Sequence, residues 1–323
     1  MSGPPILLFG APRSGTSWLG RILDSHPDTL MRHEPDSIDP DPGYPFVPDD
    51  LPCPGAEAHL DRLSRCRVLK ASGSRPVFAK SYQGPAARLM RRACIYGLKG
   101  AERYLHPAFG RLQVPDLADS VRAHLVIKSV ALGRMGAWAA AWPHARIVLI
   151  VRHPCGHVAS VLHGQRRGYL ARAHPLGFVD CAEARRLGLT QERLEAATPA
   201  ERAAWRWAVL NARALQQVPD ALVVTYEALC ADPAAVARQV LDHCGLPWSA
   251  QTEAFIEHST QGNGSFFETR RDPVAAANRW RTSFTDARLV IETVAGTRPA
   301  KLFDLSADLA GLAAEQALSA RVA

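Results

Sequence analysis

Residues 6–20 read "ILLFGAPRSGTSWLG", and the turn inside this stretch decides the fold. Ile6–Phe9 is a short, wholly apolar run of strand length. From Ser17 onward, Trp18, Leu19, Ile22 and Leu23 have the spacing of a helix face. Gly10 to Ser17 therefore joins a strand to a helix, a junction where backbone N–H groups and the helix N-terminus can face an anion. Against the nucleotide-binding pattern G-x-x-x-x-G-K-[ST], Gly10, Gly15 and the hydroxyl of Ser17 are in place, but Thr16 stands where the lysine would be. That lysine serves the β- and γ-phosphates of a triphosphate, so its replacement points to a ligand without a γ-phosphate. The cation of this loop is Arg13, whose guanidinium can fork onto two oxygens of one phosphate. Taken alone, such a turn is equally an ordinary strand-to-helix connection.

Similar apolar runs recur at 125–128, 146–151 and 222–226, separated by helical patterns. Thr198-Pro199-Ala200-Glu201 is a capping box that opens a helix reaching about Gln217. Asp232-Pro233 starts another helix that Gly245 and Pro247 stop, and a third runs from Asp286 to Ala295 before Gly296. This alternation predicts a P-loop-like, three-layer α/β fold: an open parallel sheet flanked by helices, in one domain over 1–323. Residues 35–75 are rich in Pro, Asp and Gly and read as largely loop. Segments 35–120 and 163–197 are expected to be irregular insertions roofing the crevice at the strand C-termini.

Composition excludes more than it selects. Of 323 residues, 47% are hydrophobic, enough for a large core, yet the longest apolar runs are too short to span a bilayer. The N-terminus lacks the charged and hydrophobic segments of a signal peptide, so a soluble, cytoplasmic chain is expected. Seven cysteines, an odd number without any C-x-x-C, argue against a disulfide framework or a zinc site. The net charge of +7 is spread along the chain without interleaved aromatics, which disfavours nucleic acid and fits an anionic small ligand.

A second stretch bears on the first. "RIVLIVRHPCGHVASVL", 146–162, reads as a buried strand ending in Arg152, a His-Pro turn, and a helix carrying Ser160. Arg152 at the mouth of the crevice and Ser160 in the first turns of the next helix are close enough to share one phosphate. A metal-dependent NTPase would end this strand in Asp to hold magnesium. An arginine there meets the anion directly.

"GAPRSGTSWLGRILDSHP" resembles the 5′-phosphosulfate loop of sulfotransferases that use 3′-phosphoadenylyl sulfate (PAPS), and "ILDSHPD" is similar to the tyrosylprotein and carbohydrate branches. The resemblance implies PAPS as co-substrate, without a metal, bound by Arg13, Ser14, Gly15, Thr16 and Ser17. It assigns the 3′-phosphate to Arg152 and Ser160, and brings Tyr226 of "TYEALCADP" near the nucleotide. Trp18 matches an adenine-stacking tryptophan of one branch, with a core tryptophan as the alternative; Trp205 and Trp207 read as core. "NGSFFETRRDPVAAANRWRTSF", 263–284, resembles the loop that closes over PAPS and ends in a basic residue and Trp, here Arg279-Trp280. Arg270 and Arg271 are further candidates for the same loop.

Sulfuryl transfer to a hydroxyl needs a base, positive charge on the transferring group, and a stabilised leaving phosphate. Arg13 is the candidate for the leaving phosphate, and Lys128, closing the run "LVIK", resembles the lysine that reaches the sulfuryl oxygens. One branch places a histidine base two residues beyond that lysine. Here that residue is Val130, which cannot take a proton. The glutamate-base branches instead point to Glu34 in "SHPDTLMRHEP", at the end of the second strand. His33 is the runner-up, and strand alternation predicts that it faces away from Glu34.

These readings predict a sulfotransferase acting on a small-molecule, sugar or glycolipid hydroxyl. A metal-dependent P-loop nucleotide kinase is the competing enzyme, and a binder of anionic polymers the non-catalytic alternative. The basic segment 88–106 reads as a solvated helix face, with an anionic acceptor or peripheral contact with a lipid surface as alternatives. The oligomeric state is not legible.

Overall fold

The computed structural model describes residues 3–49, 51–70, 75–106, 108–109, 112–116, 122–170, 177–260 and 272–322. Its first part comprises β1 (Ile6–Phe9), α1 (Thr16–Ser25), β2 (Thr29–His33), α2 (Pro35–Ile38), α3 (Ala56–Ser64), β3 (Val68–Lys70), α4 (Pro85–Tyr104), β4 (Gln113–Pro115) and β5 (His124–Ser129). The middle comprises α5 (Met135–Ala141), β6 (Arg146–Val151), α6 (Pro154–Arg166), α7 (Ala182–Arg186), α8 (Gln191–Ala196), α9 (Pro199–Gln217) and β7 (Leu222–Thr225). Helices α10 (Tyr226–Ala231), α11 (Pro233–His243), α12 (Ala250–Thr260), α13 (Pro273–Ser283), α14 (Ala287–Val294) and α15 (Leu305–Val322) follow.

Five parallel strands form one sheet in the order β2-β5-β1-β6-β7. Because successive side chains point to opposite faces, each strand feeds two cores. Leu7, Phe9, Ile127, Leu149 and Val151 join Trp138 and Trp207 on one face. Ile6, Leu8, Val126, Val148 and Ile150 join the apolar sides of α1, α11 and α12 on the other. Strands buried on both faces are apolar along most of their length, which is why these runs stood out in the sequence. From β1 the chain first builds to one side, through β2 and β5, and then crosses to β6 and β7. Strand order reverses at β1, and the crevice at the strand C-termini opens there.

The expected helix ends are present. Glu201 N–H donates to Thr198 Oγ1 (3.2 Å) and Thr198 N–H to Glu201 Oε2 (2.8 Å), closing the capping box of α9. Ala235 N–H donates to Asp232 Oδ1 at 2.9 Å, and Gly245 leaves α11 at φ 69°. Segment 35–75 departs from expectation, since it carries α2, α3 and β3 rather than loop alone. Composition hid α3: its Leu60 and Leu63 are fully buried in the core, but prolines and aspartates dominate the flanks.

Edge strand β2 is covered by the segment after β3. Ser81 N–H donates to Pro27 O (3.1 Å) and Tyr82 Oη to Thr29 O (3.0 Å). Two carboxylates organise buried cations beside it. Asp24 meets Arg21 at 2.6 Å and Lys80 at 3.1 Å, and Asp116 meets Arg32 at 3.3 Å and Arg91 at 3.0 Å. Paired charges along an edge block pairing with a foreign strand while their mutual contacts offset the loss of water. Asp116→Ala would leave Arg32 and Arg91 facing each other without their shared carboxylate. We expect it to cost about 3 kcal/mol or more of unfolding free energy, read by urea titration; an unchanged midpoint would remove the pair from the account of this edge.

Candidate active site

The loop after β1 is shaped by two glycines. A Cβ on Gly10 would lie 2.6 Å from the carbonyl oxygen of Ile150, and one on Gly15 would lie 2.4 Å from Tyr226 Cδ2. Gly15 also sits at φ 91° and Arg13 at φ 72°, left-handed conformations that curl the chain from Ala11 to Ser14. This curl aims the N–H groups of the first turn of α1 at the crevice, where a helix has no carbonyls of its own for them. Ser14, almost fully buried, places Oγ 3.5 Å from His157 Nδ1 on α6.

Arg152, the residue after β6, holds this loop. One guanidinium nitrogen donates to Arg13 O at 3.0 Å and another to Ala276 O at 3.2 Å, and the group lies 4.6 Å over the Tyr226 ring. Its carbonyl accepts from Trp207 Nε1 at 3.0 Å, so Trp207 is the core residue expected and also a support for the site. Arg13 Nε donates to Ser160 Oγ at 3.1 Å. Arg13, Arg152, Ser160 and Tyr226 are thus brought together. Through this bond Arg13 meets, on α6, the residue that the resemblance assigns to the 3′-phosphate. The positive field here extends to His163, whose pKa is pushed down by burial and then by Arg167, Arg166, Arg279 and Arg13.

Trp18 takes the interior alternative. It is 7% exposed and its Nε1 donates to Ser259 Oγ of α12 at 3.0 Å. Arg279 is exposed on α13 beside buried Trp280, while Arg270 and Arg271 lie outside the described residues. Sequence reading missed what stands behind Arg152. His153 stacks on Trp280 at 4.6 Å, and its Nε2 lies 2.9 Å from Asp308 Oδ2 of α15, which also bonds Arg281 at 2.5 Å. No motif announces an aspartate 155 residues away from its partner.

On the other side of β1, Glu34 and Lys128 form an ion pair. Lys128 is completely buried, opposite Leu8 on β1 and His33 on β2, with its stem passing Gly20 of α1. Glu34 keeps 28% of its side chain exposed. Its N–H extends the sheet by donating to Lys128 O at 2.8 Å, but φ 50° then breaks the strand and starts α2. That break corrects the alternation argument. His33 does not face away from Glu34: its Nε2 lies 3.8 Å from Glu34 Oε1. Burial, then the charge of Lys128, pushes the His33 pKa down to about 3. One turn on, Asp36 accepts from Ser129 Oγ at 2.7 Å, and burial pushes its pKa up. Glu34 and Arg152 flank strands three spacings apart, about 14 Å at ordinary sheet separation.

A model of the Sulfotransferase family matches residues 4–250. Carbohydrate sulfotransferase 2 of Homo sapiens is 32% identical and that of Mus musculus 28% identical. Each alignment covers 87% of this chain and 61% of the relative, so the chain spans less than two thirds of these proteins. Solved structures that align with it include a sulfotransferase domain from the curacin biosynthetic pathway (17% identity, 87% of this chain and 92% of that one, TM-score 0.43). A mouse sulfotransferase complexed with PAP also aligns (13%, 93% and 87%, TM-score 0.42). With its loop, sheet and matched residues together, the chain belongs to the sulfotransferase family.

Proposed function

We propose that the chain transfers a sulfuryl group from PAPS to a hydroxyl of a sugar, glycolipid or small-molecule acceptor. The observation that carries this reading is the division of the crevice by β1: a cationic cradle of Arg13, Arg152 and Ser160 on one side, and a carboxylate–ammonium pair, Glu34 and Lys128, on the other. The first suits the two phosphates of an adenosine 3′,5′-bisphosphate, with Arg152 and Ser160 at the 3′ end. Arg13, beside Ser160, bridges toward the 5′ end, where the N–H groups of Gly15, Thr16 and Ser17 meet the leaving phosphate. The second suits the acceptor. The acceptor oxygen attacks sulfur, the bond from sulfur to the 5′-phosphate oxygen breaks, and the hydroxyl proton passes to Glu34. Lys128 lies on Glu34 in the resting pair and supplies the positive charge nearest the transferring group. The left-handed turn at Glu34 presents its carboxylate at the strand end, while His33, with a pKa near 3, is a poor proton acceptor.

Three measurements test this. Glu34→Gln should lower turnover by about 10²–10⁴-fold and leave the affinity for 3′-phosphoadenosine 5′-phosphate (PAP) close to wild type; undiminished turnover with labelled PAPS would remove Glu34 from the chemistry. In thermal melts, PAP should stabilise the protein more than ADP or ATP at equal concentration. That difference should shrink in Arg152→Ala and Ser160→Ala, and equal shifts in wild type would reject the donor assignment. His33→Asn should retain most turnover and flatten the acid limb of stability. The ring's folded pKa lies below its free value of 6.5, so the unfolded chain binds the proton first and stability declines as pH falls from 6.5 toward 3. Denaturant titrations at pH 7, 6 and 5 should show that decline reduced by close to one proton in the variant.

A further inference from the structure

Helix α4 faces the wrong way for a helix of a soluble core. Among its described residues only Arg91 and Ile95 are buried, while Leu89 is 69%, Met90 55%, Tyr96 43% and Tyr104 77% exposed. At about 100° per residue, Leu89, Met90, Ala93, Tyr96 and Tyr104 fall in one sector roughly 120° wide, turned away from Arg91 and Ile95. From Leu89 to Tyr104 the stripe is about 22 Å long at the helical rise. Segment 88–106 is the solvated helix face expected, but its exposed side carries this apolar stripe, while Arg91 turns inward to bond Asp116 at 3.0 Å, and Asp116 bonds Arg32 of β2.

Its charge selects the occupant. The helix carries Arg88, Arg91, Arg92, Lys99 and Arg103 against a single carboxylate, Glu102, which is bonded to Lys99 at 2.6 Å. Exposed Arg92 and Arg103 fall along one edge of the apolar sector, and each guanidinium lies over a tyrosine of the stripe, at 5.7 Å from Tyr96 and 5.5 Å from Tyr104. A second copy of this chain would bring the same excess of cations to the rim, and like charges facing across an apolar seam oppose association. An anionic bilayer presents the opposite sign and accepts the tyrosines at its boundary, where an aromatic body and a polar tip are both accommodated. No helix among the described residues is long and apolar enough to cross a membrane.

We propose that α4 docks the protein on an anionic lipid surface, lying in the interface with Leu89, Met90, Tyr96 and Tyr104 inserted and Arg92 and Arg103 at the headgroups. The proposal does not depend on the sulfuryl-transfer reading and is tested without turnover. Wild-type protein should cosediment with phosphatidylcholine vesicles containing 30% phosphatidylserine, far less with phosphatidylcholine alone, and progressively less as salt rises. Replacing Arg92 and Arg103 together by alanine should weaken binding to the anionic vesicles by about thirtyfold. Leu89→Glu with Tyr104→Glu should reduce it at least about tenfold. Because all four side chains are exposed, circular dichroism and melting temperature should match wild type, which separates lost docking from misfolding. Equal partition to neutral and anionic vesicles, no partition at low salt, or undiminished binding by the Leu89/Tyr104 variant would overturn the proposal. So would a wild-type dimer that the same variant converts to monomer, because the stripe would then be occupied by a second copy.

Discussion

The guanidinium of Arg152 is the constraint on which the cationic side of the crevice depends. A planar group with five N–H donors can satisfy several acceptors from fixed directions, and here those acceptors belong to separate parts of the chain. It reaches the carbonyl of Arg13 in the loop after β1 and that of Ala276 in α13, and rests on the ring of Tyr226 at the start of α10. Its own carbonyl is fixed by Trp207 from α9, and the next residue, His153, is clasped between Trp280 and Asp308. A lysine would reach one of these partners at a time. The fork makes the loop, the sheet end and the C-terminal helices one structure.

Across β1 the design is different. Lys128 lies wholly inside the protein, and an unpaired ammonium there would be costly. Glu34 answers it from the first residue beyond β2, where a left-handed backbone turns the carboxylate toward Lys128. The same turn brings Glu34 alongside His33, whose pKa is pushed down by burial and then by the charge of Lys128. Two sites of opposite character are therefore kept apart by the width of intervening strands, each position set by the end of a strand rather than by a free loop. The family match ends at residue 250, yet Ser259, Ala276, Trp280 and Asp308 all support the crevice from beyond it.

Much of this was readable from the sequence because the informative residues obey local rules. The four apolar strands, the glycine loop, the capping box of α9 and the Arg152–Ser160 spacing each need only neighbours along the chain to be recognised. What escaped notice depended on long-range contact or on backbone conformation. Alternation along β2 misplaced His33, since no propensity foretells a positive φ at Glu34. Asp308 is meaningful only through His153, and α3 is concealed because two buried leucines decide it against a proline-rich background. Segment 88–106 was seen to be basic, but which face the body would take was fixed by Arg91 meeting Asp116, a contact that composition cannot reveal.

The clasp on His153 has a consequence for how the protein is made. Residues that bracket Arg152 are contributed as late as Asp308, long after the loop and the sheet have left the ribosome. During synthesis the nascent chain thus passes through a stage in which all five parallel strands of the sheet are present and the cradle of Arg13, Arg152 and Ser160 still lacks its rear wall. That wall is finished by the arrival of α15 rather than by completion of the sheet.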